Sequence, residues 1–185
     1  MRLAILRVGS VDEDLVKSIR SGLREIFPET TCLILEDVMP MPKDAYDMAR
    51  RQCYSSNILA KIEAEEYDAD RVLAVTEADL YVPHLNFVFG EALCPGKAAV
   101  ISLCRLRPEF YGESPNRALF VERSVKEAVH EVGHTFGLGH CHNSACVMFF
   151  SNSILDTDRK KLVFCERCGG LLEKSLRQIR SVQPC

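Results

Sequence analysis

No apolar run in the 185 residues approaches the roughly 20 that a membrane-spanning helix needs. The first residues, Met1-Arg2-Leu3-Ala4-Ile5-Leu6-Arg7-Val8, are too few and too soon charged for a secretory leader, and read better as a β-strand. Positive charge is not in excess either. The 23 Lys and Arg residues against 26 Asp and Glu give a formal net charge of −3 and a pI near 6.0. That balance argues against nucleic acid or an anionic membrane as a partner. Internal repeats and low-complexity segments are lacking. With 47% hydrophobic and 26% charged residues, what remains is one globular domain with a sizeable core, expected in the cytoplasm and as a monomer.

Cysteine, by contrast, is abundant at nine residues. In a chain read as lacking a leader, that number points to metal ligands and reduced core thiols, not to a disulfide framework. Cys32 and Cys104 fall in apolar strand-like runs, where a thiol packs as a small hydrophobe.

Apolar periodicity outlines an α/β chain. Arg2 to Val8, Thr31 to Glu36 and Arg71 to Thr76 read as strands, the last with a continuous apolar centre suited to a sheet covered on both faces. Asp12 to Phe27 has helical spacing at Leu15, Ile19, Leu23 and Ile26, with Pro28 just past its end. A long amphipathic helix is expected from about Asp44 to Glu66. Strands alternating with helices imply parallel pairing through right-handed crossovers. Asn86 to Ala92 and Ala98 to Leu103 then follow one another across the turn Cys94-Pro95-Gly96, so this pair should be antiparallel. The expected sheet is mixed, with one antiparallel edge strand. A later helix should end near Phe136, with Val125, Val129, Val132 and Phe136 buried and Gly133 closely packed against something. A last amphipathic helix should follow Gly169-Gly170, with Leu171, Leu172, Leu176 and Ile179 apolar.

Function is carried by residues 130–141, His-Glu-Val-Gly-His-Thr-Phe-Gly-Leu-Gly-His-Cys. His130 and His134 are four apart and share one helix face, where both imidazoles can hold one zinc ion. Glu131 sits beside them, placed to act on a metal-bound water. Gly137 tolerates positive φ, so it can end the helix and let His140 swing back as a third ligand. Three protein ligands leave one tetrahedral position open, as in catalytic zinc sites. Further on, Cys165-Glu166-Arg167-Cys168 is a C-x-x-C knuckle able to hold zinc through two thiolates. A redox-active pair is the other reading of that knuckle, but thioredoxin-like surroundings are missing.

The histidine segment resembles the extended motif of the metzincin metallopeptidases, H-E-x-x-H-x-x-G-x-x-H followed by a methionine turn. More closely it resembles the archaemetzincins, in which a cysteine follows the third histidine and further cysteines build a second zinc site. Cys141, Cys146, Cys165 and Cys168 match that pattern, and Met148 stands where the turn methionine is expected. The resemblance implies a metzincin-like mixed twisted sheet, an active-site helix, and a zinc-stapled C-terminal segment leading to a final helix. It implies two zincs, a catalytic one on His130, His134 and His140 and a structural one on the four cysteines. Residues 1–136 would form a sheet and helix subdomain and 137–185 a C-terminal one. Glu131 would be general base and then general acid in hydrolysis of peptides or unfolded proteins, with an extended peptide added along the edge strand.

Some features do not carry over. Certain metzincins have a tyrosine two residues after the turn methionine, where this chain has Phe150. Tyr81 and Tyr111 are possible substitutes, His84 and His142 are histidines near the expected cleft, and Glu127 could support His130 from one helical turn away. The rival reading is a non-catalytic, zinc-stabilised module of the same fold that only holds peptides, and Glu131 tells against it.

Overall fold

A computed structural model describes residues 1–182. Arg2–Val8 form β1, in which Leu3, Ala4, Ile5 and Leu6 are all buried, so both faces of the strand are covered. Asp12 caps the helix that follows, α1 (Glu13–Ile26), accepting a bond of 2.9 Å from the Asp14 amide. That helix buries Leu15, Val16, Ile19 and Leu23. Next come β2 (Thr31–Met39), β3 (Tyr46–Asp47), β4 (Gln52–Tyr54), α2 (Ser55–Glu63) and β5 (Arg71–Thr76). The remainder comprises β6 (Leu80–Tyr81), β7 (Gly90–Ala92), β8 (Ala98–Ser102), α3 (Arg117–Thr135), α4 (Ile154–Arg159) and α5 (Glu166–Val182).

Five strands make the main sheet in the order β2-β1-β5-β8-β7. All neighbours are parallel except β7 and β8, which makes β7 the expected antiparallel edge. Strand alternation divides the core in two. Leu3, Ile5, Leu73, Val75, Ala99 and Ile101 face α1 and α3, while Ala4, Leu6, Val72, Ala74 and Val100 face α2. The edge strand is tied to the second layer by charge. Glu91 accepts hydrogen bonds from the hydroxyls of Ser55 and Ser56 at the start of α2, where a carboxylate meets the positive end of the helix dipole.

The long helix expected from Asp44 to Glu66 does not form. Asp47 Oδ1 accepts from the amides of Ala49 and Arg50 at 2.9 and 3.0 Å, a local bond that competes with helix. Arg51 then takes φ +58°, and the chain reverses so that Tyr46 pairs with Cys53. Only Ser55–Glu63 remains helical, and β3, β4 and β6 form a second sheet of three strands. Three smaller departures matter. The strand expected from Asn86 begins only at Gly90; Cys104 lies in a short 3-10 turn and not a strand; and α5 starts at Glu166, with Gly169 and Gly170 inside it.

The segment between Cys141 and Val163 has regular structure of its own. It holds α4, whose Ser153 and Asp156 form a capping box. Ion pairs dock α4 on α3: Asp158 receives Arg123 at 2.7 Å through both carboxylate oxygens, and Lys160 Nζ lies 2.9 Å from Glu127 Oε1. Arg123, Lys160 and Glu127 are buried, so losing either partner of such a pair strands a charge, at a cost of about 3–5 kcal/mol.

Helices α1 and α3 approach closely at Gly22, where an added Cβ would come within 2.3 Å of Val125 Cγ1. Val125 is β-branched and stiff. Alanine at 22 would gain about 1 kcal/mol of helix propensity but should lose more by overpacking. Gly22→Ala is therefore expected to lower stability by a net ~1–2 kcal/mol; a denaturation midpoint at or above that of the parent would contradict this packing account.

Candidate metal centre

The C-terminal half of α3 carries His130, Glu131 and His134. The helix ends because Gly137, at φ +84°, turns the chain, with its amide bonded to His134 O at 2.8 Å and that of Leu138 to Gly133 O at 3.4 Å. The reversal brings His140 back over the helix. Ring centroids of the three histidines lie 4.6, 4.8 and 5.4 Å apart, and one nitrogen from each falls within 4.8 Å of the others.

Hydrogen bonding fixes which nitrogens converge. His130 Nδ1 lies 2.7 Å from Val147 O and His134 Nδ1 2.6 Å from Leu138 O. A carbonyl only accepts, so each Nδ1 carries the proton and each Nε2 in the neutral ring carries a lone pair. Those Nε2 atoms stand 3.1 Å apart. Two lone pairs so close repel each other unless a cation lies between them, and zinc with nitrogens at about 2.0–2.1 Å fits there. Burial lowers the pKa of all three histidines, that of His140 to about 4, which keeps the rings in the neutral, metal-binding form.

Glu131 is buried beside the rings, and its pKa is raised well above the usual carboxylate range, first by burial and then by the Glu127 charge. It packs against the edge strand. A Cβ on Gly90 would lie 2.5 Å from Glu131 Cγ and 2.7 Å from its Oε1. Beneath the histidines lies Met148, fully buried, whose Sδ would sit 2.5 Å from a Cβ at Gly133. The close packing expected at Gly133 is thus against the turn methionine.

Behind His140 the four cysteines Cys141, Cys146, Cys165 and Cys168 bring their sulfurs within 4.8 Å of one another. Cys141 and Cys165 Sγ are 3.7 Å apart, close to the separation of about 3.8 Å expected of two sulfurs held tetrahedrally at about 2.3 Å from zinc. Main-chain amides of Asn143 and Cys165 point at the sulfurs of Cys141 and Cys146, as suits thiolate acceptors. The Cys168 amide lowers the Cys165 thiol to about 7. A closed set of four sulfurs has no room for water and suits a structural ion.

A cleft of about 500 Å³ opens onto the histidines. The edge strand, Val82, Leu85, Phe87, Phe89, Phe150, Glu127 and Cys94 line it. A groove of similar size, about 520 Å³, between the end of α1 and α5 is lined by no histidine or cysteine. Tyr81 and Tyr111 do not line the cleft: Tyr81 packs on Tyr54 and under Arg50, and Tyr111 bonds to Arg105 O. His84 and His142 are exposed and do not line it. Glu127 supports no histidine by a direct hydrogen bond; its partners are Lys160 and Thr157, because both Nδ1 atoms on α3 are already taken by carbonyls. Cys94, in the cleft and bonded to Leu138 O, was not foreseen from the sequence and carries no local signal there.

Residues 13–174 match Peptidase family M54. The archaemetzincin of Methanocaldococcus jannaschii is 47% identical over 168 residues, covering 91% of this chain and 90% of that one. Among solved structures, the archaemetzincin of Methanopyrus kandleri superposes with a TM-score of 0.83 at 38% identity, covering 96% of each chain. A zinc-dependent peptidase of Methanocorpusculum labreanum also gives 0.83, at 30% identity over 92% of this chain and 99% of that one.

The contact between Gly90 and Glu131 has a consequence for stability. An alanine at 90 would meet Val100 O at 2.7 Å as well as the glutamate, and the main-chain oxygen has little freedom to move. Gly90→Ala should cost ~1–3 kcal/mol by overpacking while metal uptake by the three histidines persists. Unfolding curves and metal analysis check both; parental stability would show the contact to be slack.

Proposed function

The chain belongs to peptidase family M54, the archaemetzincins, and is a zinc metallopeptidase; from that premise we propose which residues do the work. His130, His134 and His140 hold the catalytic zinc, and Cys141, Cys146, Cys165 and Cys168 hold a second, structural one. The observation that carries the first assignment is the pair of Nδ1-to-carbonyl bonds that aims two Nε2 lone pairs at one point. Residues 1–185 act as one catalytic domain, with the cysteine-bearing segment 137–185 as its C-terminal part.

Zinc held there would supply a Lewis acid, able to polarise a peptide carbonyl and to ease loss of a proton from water near neutral pH. Glu131 takes the proton of the attacking water on a carboxylate oxygen and later passes it to the leaving amine. Burial suits it to that traffic, because a carboxylate of raised proton affinity accepts a proton readily. A module that merely held peptides would have no use for a buried carboxylate at this position.

The β7–β8 register supports one way of holding a peptide. Ser102 N bonds to Phe89 O and Leu93 N to Ala98 O, so alternate residues Phe89, Glu91 and Leu93 turn their main-chain groups to β8. Gly90 and Ala92 turn theirs to the open edge. An extended substrate adds there as another strand, passing over Glu131 because Gly90 has no side chain.

Mutating each metal site separates function from folding. His134→Ala removes one catalytic ligand from a helix held by Val125, Val129 and Val132; hydrolysis should vanish while the melting temperature moves little. Cys165→Ser should release the second zinc, whose binding free energy in small domains is on the order of 10 kcal/mol. That variant should lose stability and hydrolysis together. A Cys165→Ser protein that melts like the parent and still cleaves peptide would contradict the structural zinc.

A further inference from the structure

The wall of the cleft opposite α3 is the segment from Val82 to Phe89, which has almost no ladder pairing. Val88 bridges to Leu80, His84 takes φ +74°, and no regular strand forms until Gly90. Such a segment would move unless its carbonyls were held from outside. Arg50 Nη2 donates to Leu85 O at 2.9 Å and to Asn86 O at 3.0 Å. Gln52 Nε2 donates to Asn86 O and to Asp79 Oδ2, both at 2.9 Å, and Gln52 Oε1 accepts from Arg50 Nε. Asp79 is in turn gripped by Arg105 through two bonds of 2.7 Å, and the Arg105 guanidinium lies 4.2 Å over the Phe87 ring. The second sheet therefore presents a continuous hydrogen-bonded chain to the back of the cleft wall.

The front of that wall is apolar. Val82, Leu85, Phe87 and Phe89 line the cleft, as does Phe150, whose ring is tilted against His140 with centroids 4.7 Å apart. Leu85 and Phe150 are 41% and 37% exposed, unusual for large apolar side chains unless something covers them during use. No Lys or Arg lines the cleft among the described residues. Its carboxylates Glu91 and Glu127 are already satisfied by Ser55 and Ser56 and by Lys160. An acidic substrate side chain would find no cation there, and a basic one no free carboxylate outside the reacting centre. A bulky apolar side chain would lose water on both faces.

We propose that Arg50 and Gln52 are positioning residues for substrate: by holding Val82–Phe89 they keep an apolar wall in place that selects peptides with a bulky apolar side chain next to the scissile bond. The selection rests on the peptidase reading above. Arg50 is exposed in the turn between β3 and β4 and is not part of the reacting centre, so its replacement should spare the fold.

The test uses the zinc-loaded full chain in a Glu131→Ala background, so that peptide binds without being cut. Two peptides differing only in Leu or Ala at the selecting position are titrated against this protein and against its Arg50→Ala and Arg50→Lys versions. The parent should prefer Leu by about tenfold. Arg50→Ala should erase that preference and speed amide hydrogen exchange across residues 82–89. Lysine keeps the charge but not the planar fork that reaches two carbonyls and Gln52 at once, so Arg50→Lys should behave like alanine. Full affinity in Arg50→Lys would reduce Arg50 to a simple charge effect and overturn the proposal, as would unchanged exchange or an unchanged Leu preference in Arg50→Ala. Gln52→Ala, judged by the same exchange and binding, must fall in the same direction. In the Glu131-intact form, Arg50→Ala should raise KM about tenfold and leave kcat within a factor of about two. If the parent binds neither peptide and the Glu131-intact enzyme cuts no member of a peptide library, the peptidase reading itself fails, and this proposal with it.

Discussion

Two hydrogen bonds, from His130 Nδ1 to Val147 O and from His134 Nδ1 to Leu138 O, set the direction of everything in the cleft. Each fixes a tautomer and a ring plane, and together they aim two lone pairs at one point 3.1 Å across. Both acceptors lie outside the helix that carries the histidines. Leu138 is placed by the turn at Gly137, and Val147 by the cysteine-bound segment, where the Val147 amide bonds to Val163 O and that of Cys141 to Met148 O. The cysteine cluster and the histidine centre are therefore mechanically coupled. Four cysteines hold the turn, the turn holds Val147 and Met148, and these hold a ring and the floor beneath it.

Buried charges extend that coupling to the contact between α3 and α4. Arg123, Glu127 and Lys160 are costly to bury, and apolar side chains could have filled the same volume. What the ion pairs add is register: they lock α4 onto α3 next to the centre, with Asp158 and Glu127 each matched to one cation. Glycine acts in the same way by omission. At positions 90 and 133 the missing side chain lets Glu131 and Met148 approach the edge strand and the helix more closely than any other residue would allow.

Local signals were legible in the sequence. The offsets from His130 to His140 encode a helix face, a turn and a returning histidine, and all three appear where that spacing puts them. The mixed sheet and its antiparallel edge followed from apolar runs and one tight turn. What was missed depends on contacts that periodicity does not carry. The stretch from Asp44 has helical spacing, but a single aspartate side chain bonding to amides two and three residues on diverts it into a hairpin. Helix α4 is short and held by ions, so its apolar pattern is weak. The contact of Gly90 with Glu131 joins residues 41 apart in sequence, and neither residue hints at the other.

The central claim is that Glu131, beside a zinc that three histidines would hold, carries a proton from the attacking water to the leaving amine as a peptide bond is hydrolysed. Glu131→Gln is nearly isosteric, removes only the capacity to take the proton, and leaves Gly90 its neighbour. Single-turnover peptide hydrolysis should be measured with zinc content determined on the same samples. The account predicts two zincs per chain in both proteins and a rate lower by about 10²-fold or more in Glu131→Gln. A Glu131→Gln enzyme that cuts within a few-fold of the parent rate with both zincs bound would contradict it.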